Sequence, residues 1–204
     1  MFKKKKYTVI RQAISKDLAS FVANYFTMQK QVYDTCKQSR YFSPFENIIG
    51  QYEEPDGQIP NTYSQYSNIA METLLLKCQP EMEKVTGLKL NPAYTYARIY
   101  KKGDELKRHK DRFSCEISTT MNLAGEDWPI YLEPSGKENM KGIKINLKPG
   151  DMLVYSGCEL EHWREQFQGD VCVQVFLHYN HVNGQFAEKN KFDKRPLLGI
   201  PPIR

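Results

Sequence analysis

The sequence predicts an α+β domain in which N-terminal helices pack on the major sheet of a double-stranded β-helix, or jelly roll. Two observations lead to this prediction. Residues 13–88 show the apolar spacing of helices, and from residue 92 onward short alternating segments are separated by turns. About eight short strands supported by helices suit a jelly roll. The 204 residues can bury one substantial core, so we expect a single domain spanning 1–204.

The helical region, 13–88, is expected to break in the middle. Ser15 offers an N-cap before the first apolar-periodic stretch. Residues 41–62 are rich in Pro, Gly, Asn and Glu and are predicted to form a long loop. Loops this long within a domain are often functional, which makes this one a candidate substrate-binding lid. A second amphipathic helix is predicted to end near Gly87 and to contain Tyr63, Tyr66, Ile69, Ala70, Leu74 and Leu75.

The predicted strands lie in residues 92–182, the expected catalytic core. Apolar and polar residues alternate from 171 to 179, as in a half-buried strand, and again from 143 to 148. A further apolar segment at 130–132 follows Trp128-Pro129. Residues 186–204 contain three prolines and are predicted to form an extended tail on the surface.

Composition indicates the cellular setting. No apolar run approaches the roughly 20 residues of a membrane span, and the segment after the N-terminal lysine run is too short and polar for a signal peptide. Five scattered cysteines without a Cys-x-x-Cys pair suggest free thiols in a reducing compartment. We therefore expect a cytoplasmic protein without membrane partners.

The net charge of +5 is concentrated in two places. The N-terminal lysine run is most simply a solubilising tail. The second cluster contains Lys101, Lys102, Lys107, Arg108, Lys110 and Arg112. We interpret it as a solvated rim that would secondarily attract a dicarboxylate or an acidic partner. Nucleic acid is a weaker alternative, because no basic-aromatic repeat or helix-turn-helix pattern accompanies the charge.

The second cluster also contains the most informative motif, His109-Lys110-Asp111. If residues 107–112 form a strand, His109 and Asp111 project to the same side. His162 follows Asp111 by 51 residues, after an apolar run and a Ser-Gly turn. Two imidazoles and one carboxylate form the ligand set of non-haem Fe(II) oxygenases. Considered alone, the His-x-Asp pair among these cations would favour a solvated, charged surface turn over a metal site.

With its flanking strands and turns, this pattern resembles the 2-oxoglutarate- and Fe(II)-dependent oxygenases, and among them the prolyl 4-hydroxylase-like group. The resemblance covers residues 92–182. It implies iron on His109, Asp111 and His162, with 2-oxoglutarate and O2 as co-substrates and ascorbate as an optional addition. It further implies hydroxylation of the substrate with release of succinate and CO2.

The resemblance also implies a cation for the distal carboxylate of 2-oxoglutarate. Relatives commonly place an Arg or Lys about ten residues after the last histidine, but residues 170–175 contain none. Arg164, two residues past His162, is the first substitute because its planar fork suits a carboxylate. Arg98 is the second, and Tyr100 matches the tyrosine that many relatives direct at the co-substrate. The alternatives are a surface pair of Arg164 with Glu161 or Glu165, and a sheet-edge role for Arg98.

Several substrates remain open. The resemblance favours a prolyl residue in a protein or peptide. An oxygenase of a free amino acid, another small metabolite or a nucleobase is the alternative enzyme. The alternative from outside the enzymes is a non-catalytic jelly roll that binds a metal but not 2-oxoglutarate. The absence of a cation at residues 170–175 is consistent with this alternative.

Overall fold

The computed structural model of the chain describes residues 2–40, 50–52, 58–138 and 140–200. The helices in these ranges are α1 (Phe2–Lys5), α2 (Lys16–Gln38), α3 (Ile69–Thr86) and α4 (Ala187–Asn190). The strands are β1 (Tyr7–Ile10), β2 (Tyr63–Tyr66), β3 (Leu90–Lys101), β4 (Leu106–His109), β5 (Ile117–Gly125), β6 (Ile130–Leu132), β7 (Ile143–Ile145), β8 (Met152–Tyr155), β9 (His162–Arg164) and β10 (Val171–His181). Short 3-10 turns occupy Phe113–Cys115 and Lys191–Lys194.

The strands form two antiparallel sheets, as a jelly roll requires. The major sheet has the order β1-β8-β5-β10-β3-β2, and the minor sheet has the order β4-β9-β6-β7. Helices α2 and α3 bury their apolar faces in one cluster with the major sheet, where Phe26 and Leu75 are fully buried together with Val175. The predicted α+β jelly roll with N-terminal helices is therefore confirmed. No helix in the described ranges has the length and apolar character needed to cross a membrane.

The two long helices begin where their caps dictate. Ser15 has an extended backbone, and its side chain accepts a hydrogen bond from the Leu18 amide, which satisfies one of the free donors of the first turn. Asn68 caps α3 in the same way through the Met71 amide. The predicted start of the second helix was wrong, because Tyr63 and Tyr66 belong to β2 instead. Aromatic residues suit a strand, and the Asn68 cap sets the helix start after them.

Strand β10 was predicted to be half-buried, and this too needs correction. Val175 faces the cluster beneath the helices, while Cys172 and Gln174 on its other face are equally buried, at 0% and 1% exposure. The second face lies between the two sheets. A central strand of a two-sheet fold is covered on both sides, so polar residues on it line the interior.

Both chain termini were also predicted too simply. Beyond the lysine run, β1 adds to the major sheet by pairing with β8, and Phe2 is buried. Residues 186–200 are not merely extended, since they contain α4 and the turn at Lys191–Lys194. Arg195 then forms an ion pair of 2.6 Å with Glu72, and their side chains are only 3% and 2% exposed. This pair attaches the C-terminal segment to α3.

Replacing Arg195 with Met is expected to lower the free energy of unfolding by about 3–5 kcal/mol, because the Glu72 carboxylate would stay buried without its cation. Urea unfolding followed by circular dichroism measures the change. The matched control is Lys84→Met, which removes an exposed pair with Glu81 and should cost about 0–1 kcal/mol. An equally small loss of unfolding free energy in both variants would show that the Arg195–Glu72 pair does not attach the C-terminal segment to α3.

Candidate metal and co-substrate site

A cavity of about 210 Å³ lies between the two sheets. All three predicted ligands line it, together with Arg98, Tyr155 and His178. His109 ends β4 and His162 begins β9, and the register of these neighbouring strands pairs the two residues directly. The minor sheet therefore brings the two imidazoles together, with ring centroids 4.3 Å apart.

Asp111 reaches the same point by a different route from the one predicted. The strand proposed for 107–112 ends at His109, so Asp111 lies in the following turn. Its amide donates to the Gly157 carbonyl at 2.9 Å, which ties this turn to the segment leading into β9. Strand alternation therefore does not explain the approach of His109 and Asp111; the turn contact does.

The three side chains present their ligand atoms to one point. Asp111 Oδ1 lies 3.6 Å from His109 Nε2 and 3.4 Å from His162 Nε2, and the three atoms all lie within 4.8 Å of one another. The other ring nitrogens face backbone carbonyls: His109 Nδ1 lies 2.7 Å from Lys107 O and His162 Nδ1 3.1 Å from Leu160 O. A hydrogen on Nδ1 leaves the Nε2 lone pair for a metal. The donor set therefore fits a divalent transition metal with open positions.

Electrostatics favour the ionised form of the carboxylate. Burial raises the pKa of Asp111, but the charge of His162 and the hydrogen bonds from both histidines outweigh it and hold the pKa well below its usual value. Burial lowers the pKa of His109, whereas the hydrogen bond and charge of Asp111 raise it to a net increase. A metal ligand must be deprotonated, and Asp111 meets that condition.

A group that the sequence did not reveal supports Asp111 from behind. Ser118 Oγ on β5 donates to Asp111 Oδ2 at 2.8 Å and lies 3.0 Å from His178 Nδ1 on β10. Burial lowers the pKa of His178 to about 4. His178 alternates in phase with Gln174 along β10. This spacing would have indicated His178 only if that face of the strand had been known to be interior.

Gly157 is the other supporting residue. A Cβ atom there would lie 2.5 Å from both Cys115 O and Ser118 Oγ, and closer still to Asp111 Oδ2. Such contacts are far inside van der Waals distance, so any larger residue must displace the turn that carries Asp111.

Gly157→Ala is accordingly expected to weaken metal binding about 10- to 100-fold, as loss of ligand support usually does. Calorimetric titration with Co(II) measures the affinity. Gly103→Ala is the control, because a Cβ there meets open space and only the left-handed backbone (φ 92°) resists it. Unchanged Co(II) affinity in Gly157→Ala would show that the turn tolerates displacement.

Arg164 lies two residues beyond His162 on β9 and is 1% exposed. Its guanidinium donates to Trp128 O and to Thr120 Oγ1, the latter at 3.1 Å, and its Nε has no hydrogen-bond partner among the residues that the structure describes. No carboxylate in the described ranges lies within ion-pair distance of it. Burial lowers its pKa.

The predicted surface alternatives for Arg164 are not realised. Glu161 pairs with Arg108 at 2.8 Å, and Glu165 accepts a hydrogen bond from Tyr131 at 3.1 Å. A buried guanidinium with only neutral partners is unfavourable unless an anion joins it. The partners of Arg164 in the described ranges are the Trp128 carbonyl and ring and the Thr120 hydroxyl, all of them neutral.

The other two predicted co-substrate residues lie on β3. Arg98 and Tyr100 share the interior face, opposite Gln174 and Cys172 of β10. Arg98 lines the cavity and donates to Gln58 at 3.2 Å. Tyr100 is fully buried, and its ring lies edge-on to that of Trp128 with the ring centroids 4.7 Å apart. Arg164 also contacts Trp128. Tyr100 thus lies on the Arg164 side of the interior.

The cationic rim is less free than predicted. Arg112 pairs with Asp193 at 2.6 Å, and Lys110 lies 3.5 Å from Glu138. These partners reduce any long-range attraction of anions. The candidate lid at 41–62 falls largely outside the described residues, which here include only 50–52 and 58–62.

The fold is that of Fe(II)- and 2-oxoglutarate-dependent oxygenases, including a prolyl 4-hydroxylase. A prolyl-4-hydroxylase of Pseudomonas putida matches 88% of this chain and 95% of its own, with 12% identity and a TM-score of 0.61. The match to the non-haem α-ketoglutarate-dependent epimerase SnoN of nogalamycin biosynthesis covers 100% of this chain and 90% of SnoN, with 12% identity and a TM-score of 0.66. The match to EctD of S. alaskensis, solved with 2-oxoglutarate and 5-hydroxyectoine, covers 97% of this chain and 83% of EctD, with 14% identity and a TM-score of 0.63.

No protein-family model matches the chain, and no curated protein matches it by sequence. At identities of 12–14%, the structural matches define the fold and not the reaction. The reaction must therefore be argued from the site.

Proposed function

We propose that this protein is an Fe(II)- and 2-oxoglutarate-dependent dioxygenase that hydroxylates its substrate and releases succinate and CO2. The observation that carries the proposal is the convergence of His109, Asp111 and His162 in a cavity between the sheets. Two Nε2 lone pairs and one ionised carboxylate on one side of a metal leave positions open for co-substrates.

The chain's own residues would hold the iron in a fixed geometry. The carbonyls of Lys107 and Leu160 orient the two imidazoles, and Ser118 orients the Asp111 carboxylate. Bound there, Fe(II) with 2-oxoglutarate supplies the oxidising chemistry. The surrounding sheets limit access of water, since His162 is 2% exposed.

Arg164 is proposed to bind the distal carboxylate of 2-oxoglutarate. Arg164 follows His162 by two positions on the strand, a backbone distance of roughly 6.6 Å. This distance suits a dicarboxylate extending from the metal. The carboxylate would neutralise the buried guanidinium and give it a charged partner, which no residue in the described parts of the chain provides. Tyr100 is proposed to donate a hydrogen bond nearby, and Arg98 remains the second candidate anchor.

The finer parts of the function stay predictions. A peptidyl proline is the substrate favoured by the sequence resemblance, but chains with this fold include an epimerase as well as a prolyl hydroxylase. The cytoplasmic location is a prediction from five free cysteines, and a contribution of ascorbate is likewise a prediction.

Co-substrate binding is tested by thermal unfolding in the presence of Mn(II). We expect 2-oxoglutarate to raise the melting temperature only when Mn(II) is present, because the keto acid chelates the metal and a ligand stabilises the state that binds it. Glutarate, which has both carboxylates but no keto group, is the control and should have little effect. Equal stabilisation by glutarate, or none by 2-oxoglutarate, would favour a metal-binding module without co-substrate.

A further inference from the structure

His178 occupies an interior position that the proposed metal and co-substrate sites do not use. It is 5% exposed, lines the cavity, and its ring stacks on Tyr94 with centroids 4.5 Å apart. Its Nδ1 lies 3.0 Å from Ser118 Oγ. Ring position and orientation are therefore fixed by two contacts, and the remaining nitrogen, Nε2, has no hydrogen-bond partner in the described parts of the chain.

The hydrogen bonds of Ser118 determine which nitrogen of His178 carries the hydrogen. Ser118 Oγ lies 2.8 Å from Asp111 Oδ2 and 3.0 Å from Cys115 O. An ionised carboxylate and a carbonyl can only accept, so the serine hydroxyl directs its hydrogen at these acceptors, of which Asp111 is the nearer. The hydroxyl has no second hydrogen for His178. The 3.0 Å contact between Ser118 Oγ and His178 Nδ1 therefore requires a hydrogen on Nδ1.

A neutral imidazole with hydrogen on Nδ1 has its lone pair on Nε2. That lone pair is an acceptor inside the cavity that also contains the three proposed metal ligands. A ligand that enters the cavity with a hydrogen-bond donor can therefore pair with this lone pair.

We propose that His178 is a substrate-binding residue whose Nε2 accepts a hydrogen bond from an N–H or O–H group of the substrate. The inference rests on the proposed oxygenase function and names its substrate class: a molecule with a donor close to the carbon that is oxidised. A prolyl residue within a peptide has no N–H of its own. A free amino or imino acid, or a hydroxylated metabolite, would supply this donor itself, whereas a peptidyl proline would have to use the N–H of the residue that follows it.

The same hydrogen bonds connect substrate and metal. Ser118 joins Asp111 to His178, so the acceptor is held at a fixed place relative to the iron ligand. A donor bound to Nε2 would accordingly be positioned with respect to the metal by the protein alone.

The tautomer is tested directly by nitrogen NMR of the imidazole in the Zn(II)-loaded protein. We expect a protonated Nδ1 and an unprotonated Nε2 for His178. A hydrogen on Nε2 would overturn the proposal, because that nitrogen would donate instead of accept. This measurement needs no turnover, so its result is separate from the success or failure of the oxygenase proposal.

Donor recognition is tested with matched probes, namely L-proline, L-serine and butanol, each against the counterpart in which every N–H and O–H hydrogen is replaced by a methyl group. On the Zn(II)- and 2-oxoglutarate-loaded protein, at least one donor probe should shift the Nε2 resonance. That probe should bind roughly tenfold to a hundredfold more tightly than its methylated counterpart. Equal binding within every pair, or no probe that shifts Nε2, would overturn the proposal.

His178→Asn separates the acceptor from the support of Asp111. Its amide keeps an N–H near Ser118 but has no acceptor at the Nε2 position, so Co(II) affinity should persist while the preference for donor probes disappears. His181→Asn, at the end of the same strand, is the control and should keep that preference. A donor preference that survives in folded His178→Asn would contradict the assignment; if this variant does not fold, the tautomer measurement decides.

Discussion

Asp111→Ala is expected to abolish iron-dependent turnover while leaving the protein folded, and His109→Ala is expected to do the same. Each change removes one of three ligand atoms that lie within 4.8 Å of one another. Loss of a ligand should exceed the roughly 10- to 100-fold effect of losing a ligand's support. The measurement is succinate formation from 2-oxoglutarate under saturating Fe(II), with circular dichroism to verify the fold.

His181→Ala is the matched control, since it removes an imidazole outside the cavity and should leave succinate formation unchanged. The folded state should persist in Asp111→Ala because the carboxylate contacts polar partners in the cavity and is not part of the apolar core. Full turnover in either ligand variant would show that His109, Asp111 and His162 do not hold the iron.

Arg164→Met has the second largest expected effect. We expect it to weaken 2-oxoglutarate binding by about 2–5 kcal/mol, because truncating one partner of a buried charged pair leaves the other charge unpaired. The thioether side chain retains much of the volume of the arginine stem against Trp128. Calorimetric titration of the Mn(II)-loaded protein with 2-oxoglutarate measures the loss.

The protein without co-substrate provides a second readout for Arg164. Its guanidinium has no carboxylate partner within the described ranges, so Arg164→Met should unfold at the same temperature as the original protein or higher. Arg98→Met is the comparison, because Arg98 is the alternative anchor. A large affinity loss in Arg98→Met and none in Arg164→Met would move the anchor to β3.

The fold could be predicted from the sequence because its main signals are local. Alternation at 143–148 and 171–179 and an apolar segment at 130–132 predicted strands where the structure has β7, β10 and β6, and the Ser15 cap predicted the start of α2. Local signals fail where pairing is distant. The strand β1 follows a lysine run but pairs with β8, some 145 residues later, and nothing near it in sequence announces this partner.

The site divides in the same way. His109, Asp111 and His162 could be found because ligand types and spacing are visible in the chain. The support of Asp111 could not, since Ser118 and Gly157 come from separate segments and act through contacts only the folded chain creates. Arg164 was identified by elimination and by strand alternation. That no carboxylate pairs with it in the described ranges could be seen only in the structure, where its guanidinium packs against Trp128.

The central claim is that this site holds Fe(II) and 2-oxoglutarate together for reaction with oxygen. Its most direct test is anaerobic addition of both to the purified protein, followed by spectroscopy, admission of oxygen and assay of succinate. We expect the weak visible charge-transfer band of a keto-acid chelate and then succinate, with both signals absent from Asp111→Ala. Metal binding without band or succinate, repeated across concentrations, would contradict it and identify a metal-binding jelly roll without oxygenase activity.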